Sequence, residues 1–567
     1  MLPCLLFEDD HLLVINKPAG INTHAPAPHA GEGIYDWLHH REPRWADLAI
    51  IHRLDKETSG VLVFSKTRTA NQSLTAQFAG REVRKKYQLI TDRPLPGLPV
   101  LRKTALVRAG ERYLSRPVHA GADIAETRFR VLDTPPDVRT FFGAAGSLVE
   151  AEPLTGRTHQ IRVHAADLGF PILGDTLYGG TPADRAWLHA AEITFQHPGT
   201  GQEARFKAPF PAMGNARLAM RELMIDPELT NAMRLVQGAA DGWPGLYVDR
   251  LGEWLLAQSE QELTARQLAL LEHLVGRLKG VYHKGLSRHV RKTAPADVSP
   301  RLVVGEAAPE TFCIRENGLN FKLSFREGYS VGLFLDQRDN RRRCLTGHVA
   351  AGFELYSTPV AADVRRLHSA ANAGNPADDL SLPASAVTLP GTGAEVLNTF
   401  AYTCGFSVCA AKAGARVTSL DLSRKYLDWG KDNFLANDLD PAAHDFIFGD
   451  TFDWLKRFSK KRRRFDVILL DPPTFSQSKA SGVFRVERDF ARLVAAAAEV
   501  LAPNGVILAS SNAAEWSPED FLEAVHDGIK FSGKKPVGTL HYVPQPLDFP
   551  ITRTEPAYLK TVWVRCG

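Results

Sequence analysis

Four short apolar runs, EVLNTF, RVTSLDLS, FDVILLD and GVILASS, punctuate residues 395–511, and helical segments separate them. This alternation constrains the fold more than any other feature of the chain. Strands joined by helical crossovers lie parallel, so these residues are expected to build a doubly wound α/β sheet. From about residue 4 to 215 the pattern differs. Strand-like runs such as HLLVINKP, GVLVFSKT, KKYQLIT, SLVEAEPL and AEITFQ alternate with turns, and helical character is best in TANQSLTAQFAG and HQIRVHAADLG. That reads as an α+β domain on a mixed antiparallel sheet. The two halves have different patterns, so the chain is not a duplicated domain.

At 567 residues the chain is too long for one hydrophobic core. The expected division is an α+β domain over 1–215, a small central α/β domain over 216–345, and a doubly wound domain over 393–567. Between the last two, residues 346–392 are rich in Ala, Pro, Gly, Asp and Ser and read as a flexible insertion or linker. Trp243 and Pro244 are expected in the core of the central domain. Lys and Arg exceed Asp and Glu by 68 − 64 = 4, so any nucleic-acid surface must be a local patch. Six cysteines without a CxxC pair argue against a disulfide framework and a zinc site. The start, MLPCLLFEDDHLL, turns acidic by Glu8 and makes a poor signal peptide. No apolar run reaches the about 18 residues that span a membrane. A cytoplasmic protein without a metal is the expectation.

The first candidate site is Asp55, in IHRLDKETSGVLVFSKT. A carboxylate beside a cation on a loop next to a strand stays ionised at neutral pH and can act as nucleophile or base on a sugar. The same residue can equally be a turn former. HRLDKETSGVLVFSKT resembles the central motif of the RluA-type pseudouridine synthases. FEDDHLLVINKPAGINTH, REVRKKYQLI and LTGRTHQIRVHAADLGFPILGDTLYG resemble three further motifs of that family in the same order. The resemblance implies that Asp55 is the catalytic aspartate. It places Tyr87 against the target base, assisting proton removal, and pairs Arg162 with Asp55. It implies no cofactor, because the reaction is an isomerisation. Arg81, Arg84, Lys85 and Lys86 fit phosphate contact or a solvated face. His159 and His164 are expected to hydrogen-bond or pack rather than bind metal. Many relatives carry an N-terminal S4-type RNA-binding domain; here RNA selection is expected to come from the other half.

The second candidate site begins at EVLNTFAYTCGFSVCAAKAGARVTSLDLS, a strand, turn, helix, strand and acidic end. The turn Phe400-Ala401-Tyr402-Thr403-Cys404-Gly405 is not GxGxxG, so it suits a ligand without pyrophosphate, as S-adenosylmethionine is. Asp421 is placed for the ribose and Asp450 for the adenine. Asp471-Pro472-Pro473-Thr474-Phe475 follows another strand. A rigid Pro-Pro turn fixes backbone carbonyls beside a methyl donor, and Phe475 can stack on a planar substrate. RLVQGAADGWPGLYVDRLGEWLLAQ, GLFLDQRDNRRR, DLSRKYLDWGKDNFLAND and LDPPTFSQSK resemble the RlmI/RlmK family of 23S ribosomal RNA methyltransferases, closest to its guanine-N7 branch. The resemblance implies a Rossmann-like methyltransferase domain, S-adenosylmethionine as cofactor, and Asp336, Gln337 and Arg338 at the border of the donor pocket together with Phe400, Tyr402, Thr403 and Gly405. Family members carry Gly where this chain has Cys404, and the larger side chain is expected to crowd the methionine end of the donor. Methylation of cytosine C5 needs a cysteine thiolate, and none sits beside DPPTF or ILASSNAAEW, whereas guanine N7 needs only placement. Lys456, Arg457, Lys460, Lys461, Arg462, Arg463 and Arg464, and the shorter run Arg341, Arg342 and Arg343, are candidate phosphate contacts.

The reading is a bifunctional RNA-modifying enzyme with 23S rRNA as its partner. It isomerises uridine with its N-terminal half and methylates a base, guanine N7 before others, with its C-terminal half. The alternatives are a synthase whose degenerate methyltransferase half only binds RNA, a 5-methylcytosine enzyme, and a nonenzymatic assembly factor.

Overall fold

Alternating apolar strands and short turns in the N-terminal part assemble into one mixed sheet in the computed structural model of the chain. The structure describes residues 2–567 apart from 28, 30, 98, 119–123, 143–145, 212–214, 277, 287–298, 328–329, 357–388, 479–481, 539 and 553. The chain forms two units: Met1–Pro26, Glu32–His39 and Asp47–Asp226 make the first, and Ala27–Gly31, His40–Ala46 and Pro227–Gly567 the second. Most of the expected insertion at 346–392 lies outside the described residues.

The first unit carries an 11-stranded sheet. At its centre Ser59–Ser65 pairs in parallel with Leu188–Gln196, which pairs antiparallel with Arg84–Thr91, and that strand pairs antiparallel with Ser147–Pro153. Every residue of Leu12–Lys17 and Ser59–Ser65 is buried, as strands covered on both faces require. Gly60 has a φ of 115°, and a Cβ there would stand 2.2 Å from the Ala190 carbonyl oxygen, so only glycine lets these two strands pair. Helix Arg68–Ala79 starts at Thr67, whose hydroxyl accepts the Ala70 N–H. Helix Gln160–Asp167 is buried along most of its length and bears Arg162.

The second unit begins with a 5-stranded sheet, Ala232–Gln237, Leu246–Leu251, Trp254–Ser259, Gly280–Gly285 and Arg301–Gly305. Its helix Ala265–Val275 opens with a capping box between Thr264 and Gln267. Trp243 is half-buried and Pro244 exposed. They sit in the turn before Leu246–Leu251, where Arg266 lies 4.7 Å over the indole, so they are not core residues as the sequence suggested. A 7-stranded sheet follows, in the order Asp445–Phe448, Arg416–Asp421, Glu395–Thr399, Phe465–Leu470, Leu501–Ser511, Lys560–Arg565, His541–Val543. The first five strands are parallel and Lys560–Arg565 runs against them. Strand order reverses between Glu395–Thr399 and Phe465–Leu470, and a doubly wound sheet binds ligands outside the carboxyl ends of its strands at that point. The turn 400–405 and the Asp471-Pro472-Pro473 turn leave from those two strand ends.

Candidate functional sites

In the first unit the catalytic-type loop is held from several sides. The Thr23 hydroxyl donates to the Leu54 carbonyl at 2.9 Å and accepts the Leu54 N–H at 3.2 Å. The Thr58 N–H closes a turn on the Asp55 carbonyl at 3.0 Å. Lys17, fully buried at the end of Leu12–Lys17, donates to the carbonyls of Pro18, Lys56 and Thr58. Burial pulls its ammonium down to about 7, against the raising charges of Glu57 and Asp55. The loop borders a cavity of about 1160 Å³ that Tyr87, His159 and Arg162 also line.

Arg162 reaches Asp55 with Nη1 at 3.4 Å. Its stronger partner is Asp175, which takes Nε and Nη2 in a two-pronged pair at 2.7 Å each. Asp175 is 2% exposed. Burial lowers the guanidinium's proton affinity, but Asp175 outweighs it and the pKa is raised. The Tyr178 ring lies 5.0 Å from the guanidinium carbon. His159 takes a left-handed conformation, φ 56°, just before the helix. Its Nδ1 shares a hydrogen bond with the Tyr178 hydroxyl at 2.8 Å, and its Nε2 lies 3.8 Å from Asp55. Burial lowers its pKa, so the ring is neutral at neutral pH. Burial, with the charge of Asp55 added, holds the Tyr87 phenol above its usual range. Asp175 escaped the sequence reading although it lies inside the quoted GDTLYG. Of the basic cluster before Tyr87, Lys85 lines the cavity while Arg84 pairs with Glu203 on the exposed sheet face. His164 is buried between the hydroxyls of Thr104 and Thr127, and desolvation lowers its pKa to about 4.

In the second unit the turn after Glu395–Thr399 is strained. Phe400, Tyr402 and Cys404 all have positive φ, at 55°, 48° and 62°. Such conformations cost of order 1–3 kcal/mol each and cluster at ligand sites. Asp421 braces the turn: its carboxylate accepts the N–H of Tyr402 and of Ser423, each at 2.8 Å. Burial raises its pKa, and those backbone bonds pull it back. Each oxygen keeps acceptor capacity, so the carboxylate fits the ribose hydroxyls of S-adenosylmethionine. Gly405 opens the following helix, and a Cβ there would lie 2.9 Å from Leu333. The Cys404 side chain is buried against Gly430 of helix Arg424–Leu435, where an added Cβ would stand 2.3 Å from the sulfur. The thiol therefore occupies room that Gly430 leaves in the core.

Asp471 sits in a buried polar network. Gln337 Nε2 donates to Asp471 at 3.2 Å and to the Ser510 hydroxyl at 2.8 Å. Asn340 donates to Gln337 Oε1 at 2.8 Å, and the Trp563 indole donates to Asn340 at 3.0 Å. Desolvation lifts Asp471 to about 6, with the Asp336 charge adding and the Ser510 hydrogen bond opposing. Asp336 accepts the Tyr558 hydroxyl at 2.9 Å. Arg338 is committed to Asp548 through Nη1 and Nη2 at 2.9 and 2.6 Å, which leaves Gln337 as the member of that trio joined to Asp471. Thr403 donates to the Gly332 carbonyl. Asp450 caps helix Thr451–Lys460 by accepting the Asp453 N–H at 3.1 Å. Phe475 starts the hairpin Phe475–Ser478 with Gly482–Arg485, and Arg485 lies 5.8 Å over its ring.

Four expected phosphate contacts are revised. Arg341, Arg342 and Arg343 are buried, Arg341 in a two-pronged pair with Glu316 and Arg343 on the Val349 carbonyl. Arg463 is bound to Asp445, Glu395 and the Thr418 hydroxyl. Among the described residues no cluster of His, Cys, Asp and Glu is suited to a metal, and no helix is long and apolar enough to cross a membrane.

Each half is similar to a different set of known proteins. The family of RNA pseudouridylate synthases matches residues 11–167, and that of S-adenosylmethionine-dependent methyltransferases matches residues 366–550. The ribosomal large subunit pseudouridine synthase C of Yersinia pestis is 37% identical over 235 residues, 39% of this chain and 69% of that one. For its Escherichia coli K12 counterpart the figures are 36% over 222 residues, 36% of this chain and 66% of that one. The chain thus spans about two thirds of the length of these synthases. A ribosomal RNA large subunit methyltransferase of Deinococcus radiodurans is 30% identical over 361 residues, 62% of this chain and 77% of that one. A solved S-adenosylmethionine-dependent methyltransferase from Streptococcus mutans aligns at a TM-score of 0.48 and 23% identity, over 66% of this chain and 87% of that one. The chain belongs to the RluA-type pseudouridine synthases through its N-terminal half and to the S-adenosylmethionine-dependent methyltransferases through its C-terminal half.

Proposed function

We propose that the protein modifies ribosomal RNA twice, converting uridine to pseudouridine in its first unit and methylating guanine N7 in its second. The placement of Asp55 on a braced loop, beside Arg162 in a cavity of about 1160 Å³, carries the first half of this reading. A uridine flipped from its stack, at a cost of a few kcal/mol, presents its sugar to Asp55. The carboxylate attacks C1′ or takes a sugar proton, and the C1′–N1 bond breaks. The freed uracil turns and bonds to C1′ through C5, which displaces the carboxylate or takes back the sugar proton, and the C5 proton is lost as N1 gains one. Arg162 pairs with Asp55 while Asp175 fixes the guanidinium. Tyr87 packs on the base; its phenol keeps its proton at neutral pH, so it serves as a contact and hydrogen-bond donor rather than a base.

In the second unit Asp421, Asp450, the turn 400–405 and Gln337 would hold S-adenosylmethionine, which supplies an electrophilic methyl group. Asp471, Pro472, Pro473 and Phe475 form the acceptor side. Phe475 stacks on the base, and the Pro-Pro turn presents backbone carbonyls to its polar edge. The cysteines favour a purine nitrogen over cytosine C5. Burial pushes the thiols of Cys404 and Cys566 up to about 12 and about 11, and holds those of Cys344 and Cys409 well above their usual range. None of the four is a ready thiolate. The seating of Cys404 against Gly430 also favours an intact donor site over a degenerate one. The names of the relatives support ribosomal RNA of the large subunit as substrate, and with it a cytoplasmic location. Incubating the protein and S-adenosylmethionine with unmodified ribosomal RNA, then resolving nucleosides by mass spectrometry, tests the reading: pseudouridine and 7-methylguanosine are expected, and 5-methylcytidine or neither product would overturn it.

A further inference from the structure

At the edge of the 7-stranded sheet, a cleft of about 610 Å³ opens between helix Arg424–Leu435 and strand Asp445–Phe448. The mechanism above makes no use of it. We propose that this cleft is a stacking site for unpaired nucleotides of the RNA that the methyltransferase half modifies; the proposal rests on the reading of RNA as substrate.

Its aromatic floor is Phe446, Phe448 and Trp454. Phe448 is 54% exposed, unusual for a phenylalanine at a strand end. Each ring has its own cation: Arg424 lies 5.6 Å from Phe448, Lys431 lies 5.6 Å from Phe446, and Arg457 lies 4.9 Å from Trp454. The local acids are already engaged, Asp428 with Lys431 and Asp453 with Arg457, each at 2.8 Å. The cations outnumber them, because Lys456, Lys460, Lys461 and Arg462 are also exposed along and beyond helix Thr451–Lys460. Flat apolar rings within a field of exposed cations are what a single strand needs: stacking for its bases and counter-charge for its phosphates. A duplex hides its base faces, so such a site prefers unpaired RNA. The cleft also adjoins the donor side, since Phe448 precedes the capping Asp450 by two residues and the Gly449 N–H donates to the Asp421 carbonyl at 3.0 Å. A strand lying there runs beside the methyl donor.

The test measures methyl transfer by the full chain to protein-free, unmodified ribosomal RNA. Phe448→Ala is expected to raise KM for RNA by about 5- to 150-fold, the span of one lost stacking contact, with kcat and S-adenosylmethionine affinity unchanged and Phe448→Trp restoring KM. A single-stranded 12-mer should compete with the wild type better than its duplex, and this preference should shrink in Phe448→Ala. Lys456→Ala should lower the slope of log affinity against log salt by about 0.7. An unchanged KM in Phe448→Ala overturns the proposal, as does a loss confined to S-adenosylmethionine binding, which would assign the cleft to the donor. If the wild type transfers no methyl to RNA, the reading of the substrate fails and the proposal fails with it.

Discussion

Replacing Asp175 by alanine removes the stronger partner of Arg162. Arg162 is 8% exposed, and its guanidinium donates two 2.7 Å bonds to Asp175. Breaking a buried pair by deleting one member costs about 3–5 kcal/mol, because the remaining charge is left uncompensated. Asp55, at 3.4 Å, offers partial relief, so the expected loss lies near 3 kcal/mol. Asp175→Asn keeps one acceptor oxygen and should lose about half as much. Arg162→Met with Asp175→Leu removes both charges and should recover most of the stability, giving a coupling energy of about 2–3 kcal/mol. The assay is hydrogen exchange of the intact chain, read at helix Gln160–Asp167 and strand Ser59–Ser65. In Asp175→Asn the freed guanidinium edge turns toward Asp55, and pseudouridine formation should fall by about 10²-fold in kcat with little change in KM, the scale of a misplacement of about 1 Å. A loss below about 1 kcal/mol in Asp175→Ala, or additive effects in the double variant, would refute the argument that the pair is one unit.

Acid should destabilise the first unit. His164 and His189 are buried and neutral, with desolvation lowering their pKa to about 4 and about 3. The unfolded chain takes up these protons first, so stability falls as pH drops below about 6.5, by up to about 3 kcal/mol per pH unit for the pair until His164 itself titrates near 4; urea midpoints that stay level from pH 7 to 5 would contradict this. Gly430→Ala should crowd the Cys404 sulfur, cost about 1–3 kcal/mol and weaken S-adenosylmethionine binding by calorimetry, and adding Cys404→Gly should restore both. A Gly430→Ala protein that binds the donor normally would show that the thiol does not depend on that gap.

The backbone plan was legible because periodicity is local. Strands such as Ser59–Ser65 and Phe465–Leu470 announce themselves by apolar runs, and Asp55 and Asp471 by the turns around them. What escaped depends on partners far along the chain. Arg341 looks like a surface cation in RDNRRR, and Glu316 is what draws it inside. Arg463 sits in a dense basic run, yet Asp445 and Thr418 turn it inward. Cys404 reads as an obstacle until Gly430 is seen to make room for it. Asp175 stood inside a quoted motif, but only the fold of helix Gln160–Asp167 reveals that it, more than Asp55, holds Arg162.

Asp55 and Asp421 belong to separate units of one chain, and the two activities assigned to them are independent. Asp55→Asn and Asp421→Asn, each assayed for both products on unmodified ribosomal RNA by nucleoside mass spectrometry, probe that claim directly. The Asp55→Asn protein should make no pseudouridine yet methylate at the wild-type rate, and the Asp421→Asn protein should do the reverse. Loss of both products in either variant, or pseudouridine made without Asp55, would contradict it.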